Sequence, residues 1–126
     1  MPAAGLPRDA RLRRAGDFAV LRQASGRLGG RCFSVRWRPN GLDHARLGLA
    51  ISKRVSKRAV ERNRIKRLVR ESFRRVRAQL PPVDLVVMAR EQAAGMPGTQ
   101  LLAEIDALWR KLAPLKPADS AGTIAR

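Results

Sequence analysis

Between residues 31 and 38 of this chain, Phe33, Val35 and Trp37 alternate with Ser34, Arg36 and Arg38. Such alternation sends successive side chains to opposite faces and predicts a half-buried strand with a polar, cationic second face. Residues 46–52 repeat the pattern, with Leu47, Leu49 and Ile51 against Gly48, Ala50 and Ser52. The turn-forming stretch 39–43, with Pro39, Asn40 and Gly41, links the two segments and predicts an antiparallel pair. The small residues of the second strand, set beside Ser34 and Arg36, would leave a shallow trough instead of a packed layer. Further on the period changes. Ile65, Leu68, Val69, Ser72, Phe73 and Val76 recur at helical spacing and predict an amphipathic helix whose stripe faces a core. Leu80, Pro81 and Pro82 stop it, and the continuous apolar run 85–89 suits a strand covered on both faces, inside the sheet. Residues 95–98 turn, Thr99 offers a cap, and Leu101, Leu102, Ile105, Leu108, Trp109 and Leu112 form the stripe of a closing helix ended by Pro114.

Ahead of the first strand, Asp17 is a suitable cap for a short helix over 18–24, with Phe18 and Leu21 on one face and Arg22 beside them. Gly26, Gly29 and Gly30 then read as breaks. Residues 1–12 and 115–126 lack periodicity and are expected to be a flexible basic arm and a disordered tail. What remains, 13–114, is one domain with the order helix, strands, helix, strand, helix: an α+β two-layer sandwich with one sheet partly covered by helices. At 126 residues the chain supports a single modest core.

Charge changes this picture from a fold to a binding protein. The net charge is +17, and residues 1–77 carry 22 Lys and Arg against 5 acids, whereas the remainder holds 5 of each. Such an excess points to a polyanionic partner. It is densest over residues 53–75, which hold 11 Lys or Arg against Glu61 and Glu71 alone. On a helical wheel Arg62, Lys66, Arg67, Arg70 and Arg74, with Asn63, run around the side opposite the apolar stripe, and Arg64 and Arg75 flank it. Like charges four residues apart repel by a few tenths of a kcal/mol, so the row Arg62, Lys66, Arg70, Arg74 costs the helix stability unless a polyanion offsets it. Charge runs that are only solvated surface mix signs.

Other chemistry is poorly supplied. The ten acids are scattered singly, most where a cap or a helix pair explains them, so no constellation of carboxylates or histidine supports catalysis by the protein itself. A lone Cys32 excludes an internal disulfide, and with a single His44, read as a solvated loop residue, there is no zinc-ligand spacing. Cys32 is expected to be a small, partly buried side chain. No apolar run approaches the roughly 20 residues of a spanning helix, and the N-terminus has no secretory pattern, so a cytoplasmic location is expected.

The ordered motif Ser52-Lys53-Arg54, then Arg62-Asn63-Arg64-Ile65-Lys66-Arg67, then Leu68-Val69-Arg70-Glu71-Ser72-Phe73-Arg74 resembles the signature of the bacterial ribonuclease P protein subunit, and the resemblance runs from about Arg13 to the last helix. It implies the same element order, with a left-handed strand-helix-strand crossover where general topology favours the right-handed form. It also implies an accessory protein. The partner RNA, with its magnesium, removes the 5′ leader of precursor tRNA, while the protein binds no cofactor and needs no protein partner. By the same resemblance Lys53, Arg54, Lys57, Arg58, Arg62, Asn63, Arg64, Lys66, Arg67 and Arg70 contact the catalytic RNA, and Phe18, Arg22, Ser34, Arg36 and Ser52 line a trough for the leader of precursor tRNA. Arg22 and Arg36 stand near positions where that family often carries aromatics, which implies a more electrostatic grip on the single strand. The competing reading is a basic ribosomal or RNA-chaperone protein, which shares the composition but not the ordered motif. A helix-turn-helix DNA regulator lacks its short preceding helix here, and a surface-lying membrane helix would group its Trp and Leu opposite the charge.

Overall fold

The structure, a computed structural model, describes residues 10, 11 and 24–114. Phe18 and Arg22, with the rest of the expected first helix up to residue 23, lie outside the described residues, as do most of the expected arm and the whole expected tail. Among the described residues, four strands, β1 (Gly26–Gly29), β2 (Phe33–Pro39), β3 (Arg46–Ala50) and β4 (Val83–Ala89), pack with two helices, α1 (Ala59–Val76) and α2 (Gly98–Leu112). Single 3₁₀ turns follow α1 at Arg77–Gln79 and β4 at Glu91–Ala93.

β4 organises the sheet. Its first five residues, Val83 to Val87, are all buried, as a strand that is apolar on both faces requires, and this places it between two neighbours. The strand order is β1-β2-β4-β3, with β4 antiparallel to β2 and parallel to β3. The antiparallel pairing of β2 with β3 expected from the turn between them is therefore corrected. β4 lies between them, and α1 is the crossover that makes β3 and β4 parallel. A second correction concerns the glycines after residue 25, which form an edge strand. Gly26 pairs with Trp37, and a Cβ on it would lie 2.4 Å from the indole ring, so a glycine is what lets the edge strand lie over a Trp.

Register puts Phe33, Val35 and Trp37 level with Ala89, Val87 and Leu85, and Leu47 and Leu49 level with Leu85 and Val87. This is the face the helices cover. α1 contributes Ile65, Val69, Ser72 and Phe73, and α2 contributes Leu101, Ile105, Leu108, Trp109 and Leu112. The two helices meet through an edge-to-face contact of Phe73 and Trp109, with centroids 5.8 Å apart. Ser72, a polar residue on an apolar stripe, is there because Trp109 is: the indole Nε1–H donates to Ser72 Oγ at 2.7 Å, and the Ser72 hydroxyl donates to Asp106. α2 starts one residue before Thr99, with the Pro97 carbonyl accepting from the Gln100 and Leu101 N–H groups and no side chain capping it. It is fixed to the sheet by Glu104, whose carboxylate accepts the Cys32 N–H at 2.8 Å and the Phe33 N–H at 2.9 Å. Cys32 is 1% exposed, and burial, helped by the Glu104 charge, pushes its thiol up. His44 sits in the 40–45 loop beside the Asp43 carboxylate, 2.8 Å away.

Candidate RNA-binding surfaces

Alternation along the strands gives the sheet a second face, away from the two helices, and its composition follows from register. One row across it reads Arg27, Arg36, Val86, Gly48; a second reads Gly29, Ser34, Met88, Ala50; a third places Arg38 and Arg46 on either side of Asp84. Rows are two residues apart along each strand, roughly 6.8 Å. Ser34 and Arg36, expected at a leader trough, are thus neighbours on this face, and both are half-buried. Ser52 lies just past β3, exposed, its Oγ accepting the Arg54 N–H at 3.2 Å. Arg27 escaped sequence reasoning because its segment read as a break, although its opposition to Arg36 follows once β1 is known to pair with β2. Asp84 is 8% exposed and holds Arg46 through two bonds of 2.8 Å, while Asn40 Nδ2–H donates to the same carboxylate at 3.0 Å and to the His44 carbonyl at 3.1 Å. The network fixes one end of the sheet face and ties the 40–45 loop to it.

The second candidate surface begins at a turn. Buried Ile51 and Val55 anchor it, and the Val55 N–H donates to the Ser52 carbonyl, so Lys53 and Arg54 between them project outward. Lys57 and Arg58 are also exposed, and Arg58 occupies the cap position of α1 with its own N–H donating to Ser56 Oγ at 3.1 Å. On α1 the expected residues divide. Asn63, Arg64 and Arg67 are exposed and, with Arg58, Val60 and Glu61, line an open groove of about 530 Å³. Val60 is 65% exposed, a bare aliphatic patch among cations. Arg62, Lys66 and Arg70 lie on the other flank and are half-buried. Arg62 folds back to donate to the Ser56 carbonyl at 2.9 Å, and burial, then the neighbouring charge of Arg11, pushes the Arg70 guanidinium below its ordinary range. The even cationic surface drawn by a helical wheel is in fact two flanks, one solvated and one tucked against the body. Among the described residues no three His, Cys, Asp or Glu side chains come together as a metal site, and no helix is long and apolar enough to cross a membrane.

One side of the domain therefore carries a basic turn and helix, another a sheet face with arginines at register positions. The ribonuclease P family model matches residues 6–113. The ribonuclease P protein component of Thioalkalivibrio sulfidiphilus is 44% identical over 108 residues, covering 86% of this chain and 90% of its own. That of Pseudomonas aeruginosa is 42% identical over 111 residues, covering 87% and 82%. Among solved structures, the RNase P protein of Staphylococcus aureus superposes with a TM-score of 0.74 at 30% identity, over 82% of this chain and 97% of that one. The RNase P protein of Thermotoga maritima gives 0.69 at 30%, over 80% and 96%. With fold, motif and length in agreement, the chain belongs to the ribonuclease P protein family.

Proposed function

We propose that this chain is the protein subunit of a cytoplasmic ribonuclease P and acts in the 5′ maturation of tRNA by binding two RNAs at once. The catalytic RNA is held by the turn and α1, through Lys53, Arg54, Lys57, Arg58, Arg62, Asn63, Arg64, Lys66, Arg67 and Arg70. The leader of precursor tRNA is held on the sheet face by Ser34 and Arg36, with Ser52 at its margin and Phe18 and Arg22 as further expected contacts. The observation that carries the reading is the ordered motif at 62–67 presenting Asn63, Arg64 and Arg67 to solvent in one groove. A phosphate backbone laid there meets closely spaced guanidinium donors, each able to bond two phosphate oxygens.

Chemistry belongs to the RNA on this reading. The protein offers charge and position, magnesium acts within the RNA-containing holoenzyme, and no protein residue is assigned to bond cleavage. A basic ribosomal or RNA-chaperone role is disfavoured by the family match along most of the chain. The test adds the purified chain to a transcribed bacterial ribonuclease P RNA and precursor tRNA at low magnesium. Leader cleavage should rise with protein concentration, and the protein without RNA should cleave nothing. No stimulation, or specific cleavage by RNA-free protein, would overturn the reading.

A further inference from the structure

Glu61 is an acid in the first turn of the most basic helix, where an outward-facing carboxylate would repel a bound polyanion. Although Glu61 borders the groove, its side chain is only 20% exposed and its carboxylate turns to the loop 94–98. Glu61 Oε2 accepts the Gly95 N–H at 3.0 Å and an N–H from the Arg64 NH2 group at 3.3 Å. The same Arg64 nitrogen donates to the Met96 carbonyl at 3.3 Å. Gly98 approaches Arg64 as well, since a Cβ there would lie 3.7 Å from its NH1. Gly95 itself has φ +79°, the left-handed region where glycine carries no Cβ penalty. Arg64 is thus gripped through one terminal nitrogen, while its side chain stays 42% exposed at the groove it lines and carries further donors on Nε and NH1.

We propose that Glu61, together with the loop 94–98, is a positioning residue for RNA binding, holding the Arg64 guanidinium in the orientation in which it meets a phosphate. This rests on the reading of α1 as the surface for the catalytic RNA. A long side chain immobilised only on binding costs affinity, and one fixed beforehand does not; the difference corresponds to roughly 2- to 12-fold. The proposal and plain electrostatics disagree in sign. Removing a negative charge from a surface that binds a polyanion should tighten binding, whereas releasing Arg64 should weaken it.

The experiment measures affinity of the full-length chain for a transcribed bacterial ribonuclease P RNA, with an unrelated RNA of equal length as control. It compares wild type, Glu61→Ala, Glu61→Gln, Arg64→Ala and the double variant Glu61→Ala/Arg64→Ala, with thermal melts of each. Glu61→Ala should bind roughly 2- to 12-fold more weakly despite its higher positive charge, and in the Arg64→Ala background the same change should cost nothing further. Binding by Glu61→Ala as tight as wild type, or losses that add in the double variant, overturns the proposal. If Glu61→Ala does not fold, Glu61→Gln decides, because it keeps an acceptor for the Gly95 N–H and discards the charge: tighter binding than wild type overturns the proposal, and equal or weaker binding supports it. Wild type that binds the control RNA equally well would overturn the α1 reading itself. Retained discrimination with no loss on Glu61→Ala would overturn only the role of Glu61.

Discussion

Replacing Arg67 by Ala should weaken assembly with the catalytic RNA while leaving the fold untouched. Arg67 is exposed on α1 at the rim of the groove it shares with Asn63 and Arg64. A hydrogen bond to a charged group contributes about 1.5 to 3 kcal/mol, so removing a guanidinium bonded to phosphate here costs roughly 10- to 150-fold in affinity. Alanine is the best helix former, and the change removes like-charge repulsion with Arg64 one turn away, so stability should move by no more than about 0.5 kcal/mol. The assay is a titration of the RNA at several salt concentrations between about 50 and 200 mM, where each phosphate no longer neutralised lowers the slope of log affinity against log salt by about 0.9. Arg36→Ala is the control from the other surface. It should spare affinity for the catalytic RNA and weaken the preference for leader-bearing over mature tRNA. An unchanged affinity and salt slope for Arg67→Ala, or a melting point lowered by several degrees, would refute the placement of Arg67 on a binding surface. Equal losses on both RNAs from both variants would refute two separate surfaces.

Asp84→Ala should destabilise the fold by about 3 kcal/mol, the low end for breaking a buried ion pair, because the Arg46 side chain stays 25% exposed; a denaturant titration giving under about 1 kcal/mol would show that solvent already screens the pair. Ser72→Ala leaves the buried Trp109 indole N–H without its acceptor and should cost about 1 to 3 kcal/mol, with unchanged stability as the contrary result. Cys32, buried and with its thiol pushed up, should react with an alkylating reagent only as the protein unfolds; rapid labelling of the native protein would place it at the surface.

The elements with a clear apolar pattern, β2, β3, β4, α1 and α2, were legible in the sequence because each depends on neighbours along the chain, whereas the glycine-bearing β1 was not. The alternation at Phe33, Val35 and Trp37 and the helical stripe from Ile65 to Val76 specify an element and the face it buries, and the structure buries those faces. The motif at 62–67 was legible for the same reason, and three of its residues, Asn63, Arg64 and Arg67, share one groove. Strand order was not. Nothing local in β2 or β3 says that β4 comes between them, since a short turn is compatible with pairing or with separation, and the choice is made by which strand has two apolar faces to bury. The acids show the difference most sharply. In the sequence they stand singly and look like caps and helix pairs. In the structure Glu104 holds backbone amides 71 and 72 residues away, Asp84 closes on Arg46 38 residues back, and Glu61 reaches Gly95 34 residues on. Periodicity is set by adjacent residues, so outside the glycine-bearing edge strand β1 the sequence by itself determined which described segments are strands or helices and which face of each is apolar. A partner for a lone carboxylate is set by where the backbone returns, and only the tertiary structure decided that.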